Sequence, residues 1–326
     1  MKVTIIPILL LLINFNVNAN TPTLIDLTNK IDQIAYLHVP KSDVYQGQYF
    51  VIYDATDRAN KYGHVAMIDK NTFAVTKILK IYQHRRVIEE IHSDDKGVLY
   101  VKDSKGNIYR SKNKGGNWLQ LDLNRQTKLF EFKGIKETHD KYRTGYSSYN
   151  SDIRVNSSGD VLLYNSYSGD RISVIKAGEN TAPLGPLLNT IIDKEIRNIR
   201  DNIYMGDCRK VIINDEKGTY QSSDFGTTFL NIPSENYTWG ATDDCKILSK
   251  KGYSTYFVGQ NKLSDSRSDL NITRNGLMHT NISKYDSSSN LHIGHTSNLA
   301  LTKTEIEVKN YKQIKSLDTL VITKRK

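Results

Sequence analysis

Two stretches of this chain repeat one pattern: Asp103-Ser104-Lys105-Gly106-Asn107-Ile108-Tyr109-Arg110-Ser111-Lys112-Asn113-Lys114-Gly115-Gly116-Asn117-Trp118-Leu119 and Asp215-Glu216-Lys217-Gly218-Thr219-Tyr220-Gln221-Ser222-Ser223-Asp224-Phe225-Gly226-Thr227-Thr228-Phe229-Leu230. With one gap after the first glycine they share Asp, Lys-Gly, Tyr, Ser, Asn or Asp, Gly, an aromatic residue and Leu. Each copy reads as a strand, a tight turn and a returning strand. Asp-x-x-Gly makes one turn, a Tyr-bearing strand follows, and Ser-x-Asn/Asp-x-Gly makes the next. In that second turn an Asp or Asn side chain accepts backbone N–H bonds, Gly takes a positive φ, and the aromatic residue three positions on packs over the hairpin. All of these roles are structural.

Ser222-x-Asp224-x-Gly226-x-Thr228-Phe229 resembles the Asp-box, or BNR repeat, written Ser/Thr-x-Asp-x-Gly-x-Thr-Trp/Phe. Ser111-x-Asn113-x-Gly115-x-x-Trp118 resembles a second copy, with Asn in place of Asp and Asn117 in place of Thr. The resemblance implies a β-propeller of the sialidase and sortilin-like kind, in which the box caps a hairpin between outer strands of a blade. Weaker phrases extend the pattern. Ile88–His92 leading to Gly97–Val101 is echoed by Ile153–Val155 leading to Gly159–Tyr164, and by Ile196–Ile199 leading to Asn202–Tyr204. Upstream, Gln48–Tyr53 and His64–Ile68 have strand-like content and an Asp69-Lys70-Asn71 turn. The expected fold is therefore all-β, one propeller over residues 20–326 with six or seven four-stranded blades. Leu24, Leu27, Ile31 and Ile34 have helical spacing, and Pro186 through Ile196 has room for a short helical insertion.

The chain opens with Lys2, an apolar run from Val3 to Phe15 and then Val17-Asn18-Ala19, the layout of a secretory signal peptide. Cleavage is expected after Ala19, with the mature protein secreted or periplasmic and without a transmembrane segment. Cys208 and Cys245 are the two cysteines, and in an oxidising compartment they are expected to pair. Closing that loop contributes about 4 kcal/mol in the chain-entropy model. Neither has a second Cys or a His at ligand spacing, so no metal site and no cofactor is expected.

Lysine and arginine number 45 against 35 acidic residues. Loss of Lys2 with the signal leaves a net +9, which suits an anionic glycan or an acidic protein surface; for an exported chain nucleic acid is not an expected partner. Tyr142, Arg143, Tyr146 and Tyr149 fall in one loop-like stretch, and this mixture of rings and guanidinium marks it as the candidate binding segment.

Sialidase chemistry needs three arginines on a carboxylate, a Tyr–Glu nucleophile pair and an acid/base Asp. Arg58, Arg85, Arg86, Arg143, Arg154, Arg171, Arg197 and Arg200 supply guanidinium groups. The early Phe/Tyr-Arg-Ile-Pro segment of that family has no match, since Tyr109-Arg110 and Tyr142-Arg143 both lack the Pro. No catalytic residue is assigned. His292-Ile293-Gly294-His295 offers two imidazoles without a third ligand, while Asp94–Gly97 and Thr242–Asp244 read as turns. The expected function is a non-catalytic exported propeller that binds a protein or glycan, for example an inhibitor or immunity-type protein. The alternatives are a sialidase-like glycoside hydrolase with diverged motifs and a cell-surface structural or assembly factor. An enzyme is expected to bring a carboxylate pair or a Tyr–Glu pair together at the ring axis.

Overall fold

In the computed structural model, six antiparallel sheets follow one another along the chain and a seventh joins its two ends. The structure describes residues 24–26, 34–54, 63–79, 81, 88–104, 106–135, 151–165, 170–192, 203–215, 218–232, 237–251, 255–263, 270–282, 290–314, 316 and 318–324. The first sheet is Ile34–His38, Gln48–Asp54, Gly63–Asp69 and Val75–Leu79. The second runs Ile88–Ser93, Leu99–Asp103, Ile108–Ser111 and Leu119–Asn124, and is widened by Leu129–Gly134 and Thr181–Pro183. The third has Ser151–Val155, Val161–Asn165 and Arg171–Ile175. The fourth has Ile203–Met205, Val211–Asp215, Gly218–Ser222 and Leu230–Ile232. The fifth, Tyr237–Ala241 to Asn261–Lys262, and the sixth, Leu270–Ile272 to Ala300–Glu307, are again four-stranded.

The seventh sheet closes the ring. Tyr311–Ile314 pairs antiparallel with Leu320–Lys324, and Leu24–Asp26 adds to the latter in parallel, Leu24 opposite Leu320. First strands touch where the first sheet meets the second, the third meets the fourth and the fourth meets the fifth, and buried apolar residues fill most of the spaces between sheets. Ile52, Ile88, Ile91 and Val101 belong to the cluster between the first and second sheets, Ile153, Phe130 and Phe132 to that between the second and third. Ile314 and Val321 pack with Val51 and Ala66, which seals the closing sheet against the first. This is a β-propeller, as the sequence predicts.

One seam differs. Between the fourth and fifth sheets no apolar cluster is found among the described residues. Asn214, Thr219 and Thr238 meet there instead, with Thr219 Oγ1 donating to Thr238 Oγ1 at 2.8 Å and Asn214 Nδ2 donating to the Thr238 carbonyl. The Cys208–Cys245 disulfide spans this same seam.

The two repeated segments take the same turn. Ser111 Oγ accepts the Gly115 N–H at 2.9 Å, and Ser222 Oγ accepts the Gly226 N–H at 2.7 Å. Asn113 Oδ1 accepts from the Asn117 amide, while Asp224 Oδ1 accepts from the amides of Thr227 and Thr228. Positive φ extends to the residue before each glycine, at Lys114 (57°) and Phe225 (61°), a wider left-handed stretch than the glycine alone. A Cβ on Gly115 would lie 2.7 Å from the Leu79 side chain, so the glycine is also needed for space. Trp118 joins the core between the first two sheets, and Phe229 packs against the core between the third and fourth. Removing the hydroxyl strands a buried amide, so Ser222→Ala is expected to lower unfolding free energy by about 1–3 kcal/mol. Urea denaturation measures it, and a change under about 0.5 kcal/mol would show that the turn holds without the serine.

Two local readings are corrected. The helical spacing of Leu24, Leu27, Ile31 and Ile34 gives no helix at its described ends: Leu24 opens a strand that pairs with the far end of the chain, and Ile34 opens the first sheet. Tyr204 lies in a first strand, Ile203–Met205, whose partner is Val211–Asp215, so the phrase ending there is displaced by one strand; Ile196–Ile199 lies outside the described residues. The short helix Leu188–Ile191 falls inside the expected insertion.

Candidate functional site

Side chains alternate along a strand, and this period brings charged residues to the ring axis. Tyr36 and His38, Glu90 and His92, Asp152 and Arg154, and Tyr204 come from the first strands of four consecutive sheets and, with Gly206 just after the fourth of them, line the axial space. Ile52, Ile88, Met205 and Ala241 add apolar wall to a cavity of about 650 Å³. Lys102 enters from the second strand of its sheet, directly opposite Glu90 in register.

The buried charges in this cavity are paired. Lys102 Nζ donates to Glu90 Oε1 at 2.8 Å and to Asp152 Oδ1 at 3.2 Å. Asp152 Oδ2 holds the Arg154 guanidinium at 2.7 Å, and Arg154 Nε donates to the Ile203 carbonyl of the next sheet. Burial by itself favours neutral Glu90, but the His92 hydrogen bond and the charges of His92, Lys102 and Arg154 outweigh it and hold the carboxyl well below its usual range. Burial likewise lowers Lys102 and Arg154, and their carboxylate neighbours more than reverse that, leaving both raised.

Below the cavity, the turns that follow the first strands form a belt. The Asp95 N–H donates to the Ser157 carbonyl, the Ser157 N–H to Asp207 Oδ1, the Asp207 N–H to the Asp243 carbonyl, and the Asp243 N–H to the Arg274 carbonyl. These four bonds join the second sheet to the sixth in order. Lys41, from the first sheet's turn, pairs with Asp243 at 2.9 Å and Asp207 at 3.6 Å. Arg274 donates Nε to Asp243 Oδ1 at 3.0 Å and Nη2 to the Val155 carbonyl, tying the sixth sheet to the third. His38 bridges Asp318 of the closing region and Ser93 of the second sheet. The disulfide joins the turns that carry Asp207 and Asp243.

Burial lowers the His92 pKa, and the Glu90 hydrogen bond only partly restores it. Asp318 is depressed too: burial acts upward, while the His38 bond and the charges of His38, Arg274 and Lys41 act more strongly downward. For each of His92, Glu90 and Asp318 the folded pKa lies below the unfolded one, so folding is favoured above the unfolded pKa and loses ground as pH falls. The window for His92 opens below roughly pH 6.5, and that for the carboxylates below roughly pH 4. Urea midpoints are therefore expected to hold near pH 8, decline through pH 6 and fall again below pH 4. A midpoint independent of pH between 7 and 3 would contradict this arrangement.

The sequence placed its site residues elsewhere. Ser111, Asn113, Gly115, Trp118, Ser222, Asp224, Gly226 and Phe229 sit in outer hairpins, between third and fourth strands. Tyr142, Arg143, Tyr146 and Tyr149 lie outside the described residues, in the connection between Gly134 and Ser151. Of the arginines singled out for a carboxylate clamp, Arg154 lies at the axis and Arg171 donates to the Gly185 carbonyl, whereas the others fall outside the described residues. His295 has its ring nitrogens on Ser297 and the Asn275 carbonyl, and His292 contacts the Asn290 carbonyl. Sequence reasoning missed Tyr36, Glu90, Asp152 and Arg274. The available signal was charge at i, i+2 inside short apolar strands, as in Glu90–His92 and Asp152–Arg154.

No family model matches the chain, and no curated protein matches it. Similar solved structures include YCF48 bound to a D1 peptide, at TM-score 0.50 and 9% identity over 87% of this chain and 84% of that one. A streptogramin B lyase aligns at TM-score 0.49 and 10% identity over 91% and 89%. YCF48 from Cyanidioschyzon merolae aligns at 0.42 and 11% over 76% and 92%. At such identities the likeness is one of fold, and the first of these is a fold match to the propeller described above.

Proposed function

We propose that this chain is an exported, non-catalytic β-propeller that binds a protein or anionic glycan partner on its outer surface. The observation that carries this reading is the mutual neutralisation of the axial charges. Lys41, Lys102, Arg154 and Arg274 face Glu89, Glu90, Asp152, Asp207, Asp243 and Asp318 there. With four cations against six carboxylates, the basic surplus of the chain lies away from the axis. General-acid chemistry needs a carboxyl kept protonated near neutral pH, and Glu90 and Asp318 are held in the opposite direction. YCF48, seen with a peptide bound, is a precedent for a propeller with a protein partner.

The test is an affinity pull-down from extracellular or periplasmic extract with the mature protein, Asn20 to Lys326, against the same bait carrying Tyr142→Ala, Arg143→Ala and Tyr146→Ala. The expected result is one protein or anionic polysaccharide retained by the first bait, released by salt, and lost with the second. Equal retention by both baits removes the Tyr142–Tyr149 segment from the site, and retention of nothing removes the inhibitor version.

A second reading has one specific observation behind it: Tyr36 and Glu90 line the same cavity as Arg154 and Arg274, a Tyr–Glu pair with two of the three arginines that sialidase chemistry needs. Against it, burial and the nearby Asp318 and Glu90 push the Tyr36 hydroxyl up, away from a nucleophilic phenolate. Turnover of a fluorogenic sialoside by the mature protein, lost in Glu90→Gln, would favour this enzyme over the binding module.

A further inference from the structure

The axial cavity is built for more than holding the sheets together. Its volume of about 650 Å³ lies in the range of small-molecule sites, roughly 300–1,000 Å³. Its buried charged groups come as acid–base pairs, Lys102 with Glu90 and Arg154 with Asp152, each offering a donor and an acceptor side by side, while the exposed Glu89 also lines the wall. Between them stand Ile88 and Met205, and Tyr36, whose hydroxyl is buried without a hydrogen-bond partner among the described residues. A buried hydroxyl without a partner is costly, and here it belongs to a residue of the cavity wall.

From this arrangement we infer that the axial cavity binds a neutral, hydroxyl-rich small molecule, a saccharide of one or two rings, with Tyr36 among its hydrogen-bonding partners. A sugar hydroxyl donates and accepts at once, so it can give its proton to a carboxylate and receive one from the paired cation without separating them. A ligand with net charge would have to compete with the partner already held by each buried group, and a buried charge left alone is strongly unfavourable. The apolar wall meets the C–H faces of a sugar ring. This site is separate from the outer surface proposed to hold the partner.

The experiment is titration calorimetry on the mature protein with glucose, N-acetylglucosamine and cellobiose as neutral probes, and N-acetylneuraminic acid and glucosamine as charged ones. The expected result is saturable one-to-one binding of at least one neutral probe and none of the charged ones. Tyr36→Phe is expected to bind it roughly tenfold more weakly, while melting at the same temperature or higher because it removes a hydroxyl with no partner. Ala35→Trp, at an exposed position on the cavity wall, is expected to block binding without disturbing the core. No saturable binding means a water-filled cavity and overturns the inference, as does preference for a charged probe or undiminished affinity in both variants. None of these failures touches the pull-down, which reads a different surface.

Discussion

Asp152→Ala is expected to destabilise the protein by about 3–5 kcal/mol, far more than the loss of an exposed ion pair. The residue is 6% exposed, and its two oxygens serve two cations, Lys102 on one side and Arg154 on the other. Its removal leaves Arg154 with backbone carbonyls alone and Lys102 with Glu90 alone. Neither cation can turn to bulk water, since their side chains are 18% and 6% exposed. The sharper test is the companion Arg154→Met with Asp152→Leu, which removes both members of a pair and leaves Lys102 on Glu90. A buried ion pair often gains little over an apolar replacement, so the double variant is expected to recover part of the single loss. Equal losses in single and double variants, measured by urea denaturation, would show that the cost arises from altered shape and not from a stranded charge.

Removing the disulfide is expected to cost about 4 kcal/mol, the chain-entropy value for a loop of this length. The separation is 37 residues. The full value is expected at this position because the bridge crosses the seam where Asn214, Thr219 and Thr238 stand in place of an apolar cluster. It also joins the two turns that carry Asp207 and Asp243, and so the middle of the axial belt. Cys208→Ser with Cys245→Ser should therefore lower the urea midpoint and speed amide exchange at Asp207 and Asp243 before the rest of the fifth sheet. A loss under about 1 kcal/mol would mean that the belt's hydrogen bonds already hold the seam.

The hairpins were legible because their information is local. A serine, an acid or amide, a glycine and an aromatic residue within eight positions specify one turn, and Ser111–Trp118 and Ser222–Phe229 both take it. The cysteine pair was legible for a similar reason, there being only two to join. The axial cavity was not. Tyr36, Glu90, Asp152 and Arg274 are each more than fifty residues from the next, and only ring closure brings them together, so no spacing in the chain encodes their meeting. Asp243 is instructive: it reads correctly as a turn residue, yet its carboxylate faces inward to Lys41 and Arg274. Leu24–Asp26 failed for a related reason, since a strand whose partner is at residue 320 has no local periodicity to announce it.

That parallel strand also sets a timetable. Leu24 to Asp26 are made before all six of the other sheets and Leu320 to Ile322 after them, so this strand must wait for all six before its partner exists. Contacts of such sequence separation form slowly. The open sheets on either side of the gap meanwhile present unpaired edges that invite pairing with other chains. A ring that locks only when these two strands meet spends the time before as an unfinished arc, and its greatest exposure to misassembly falls in the interval just before Leu320 to Ile322 arrive.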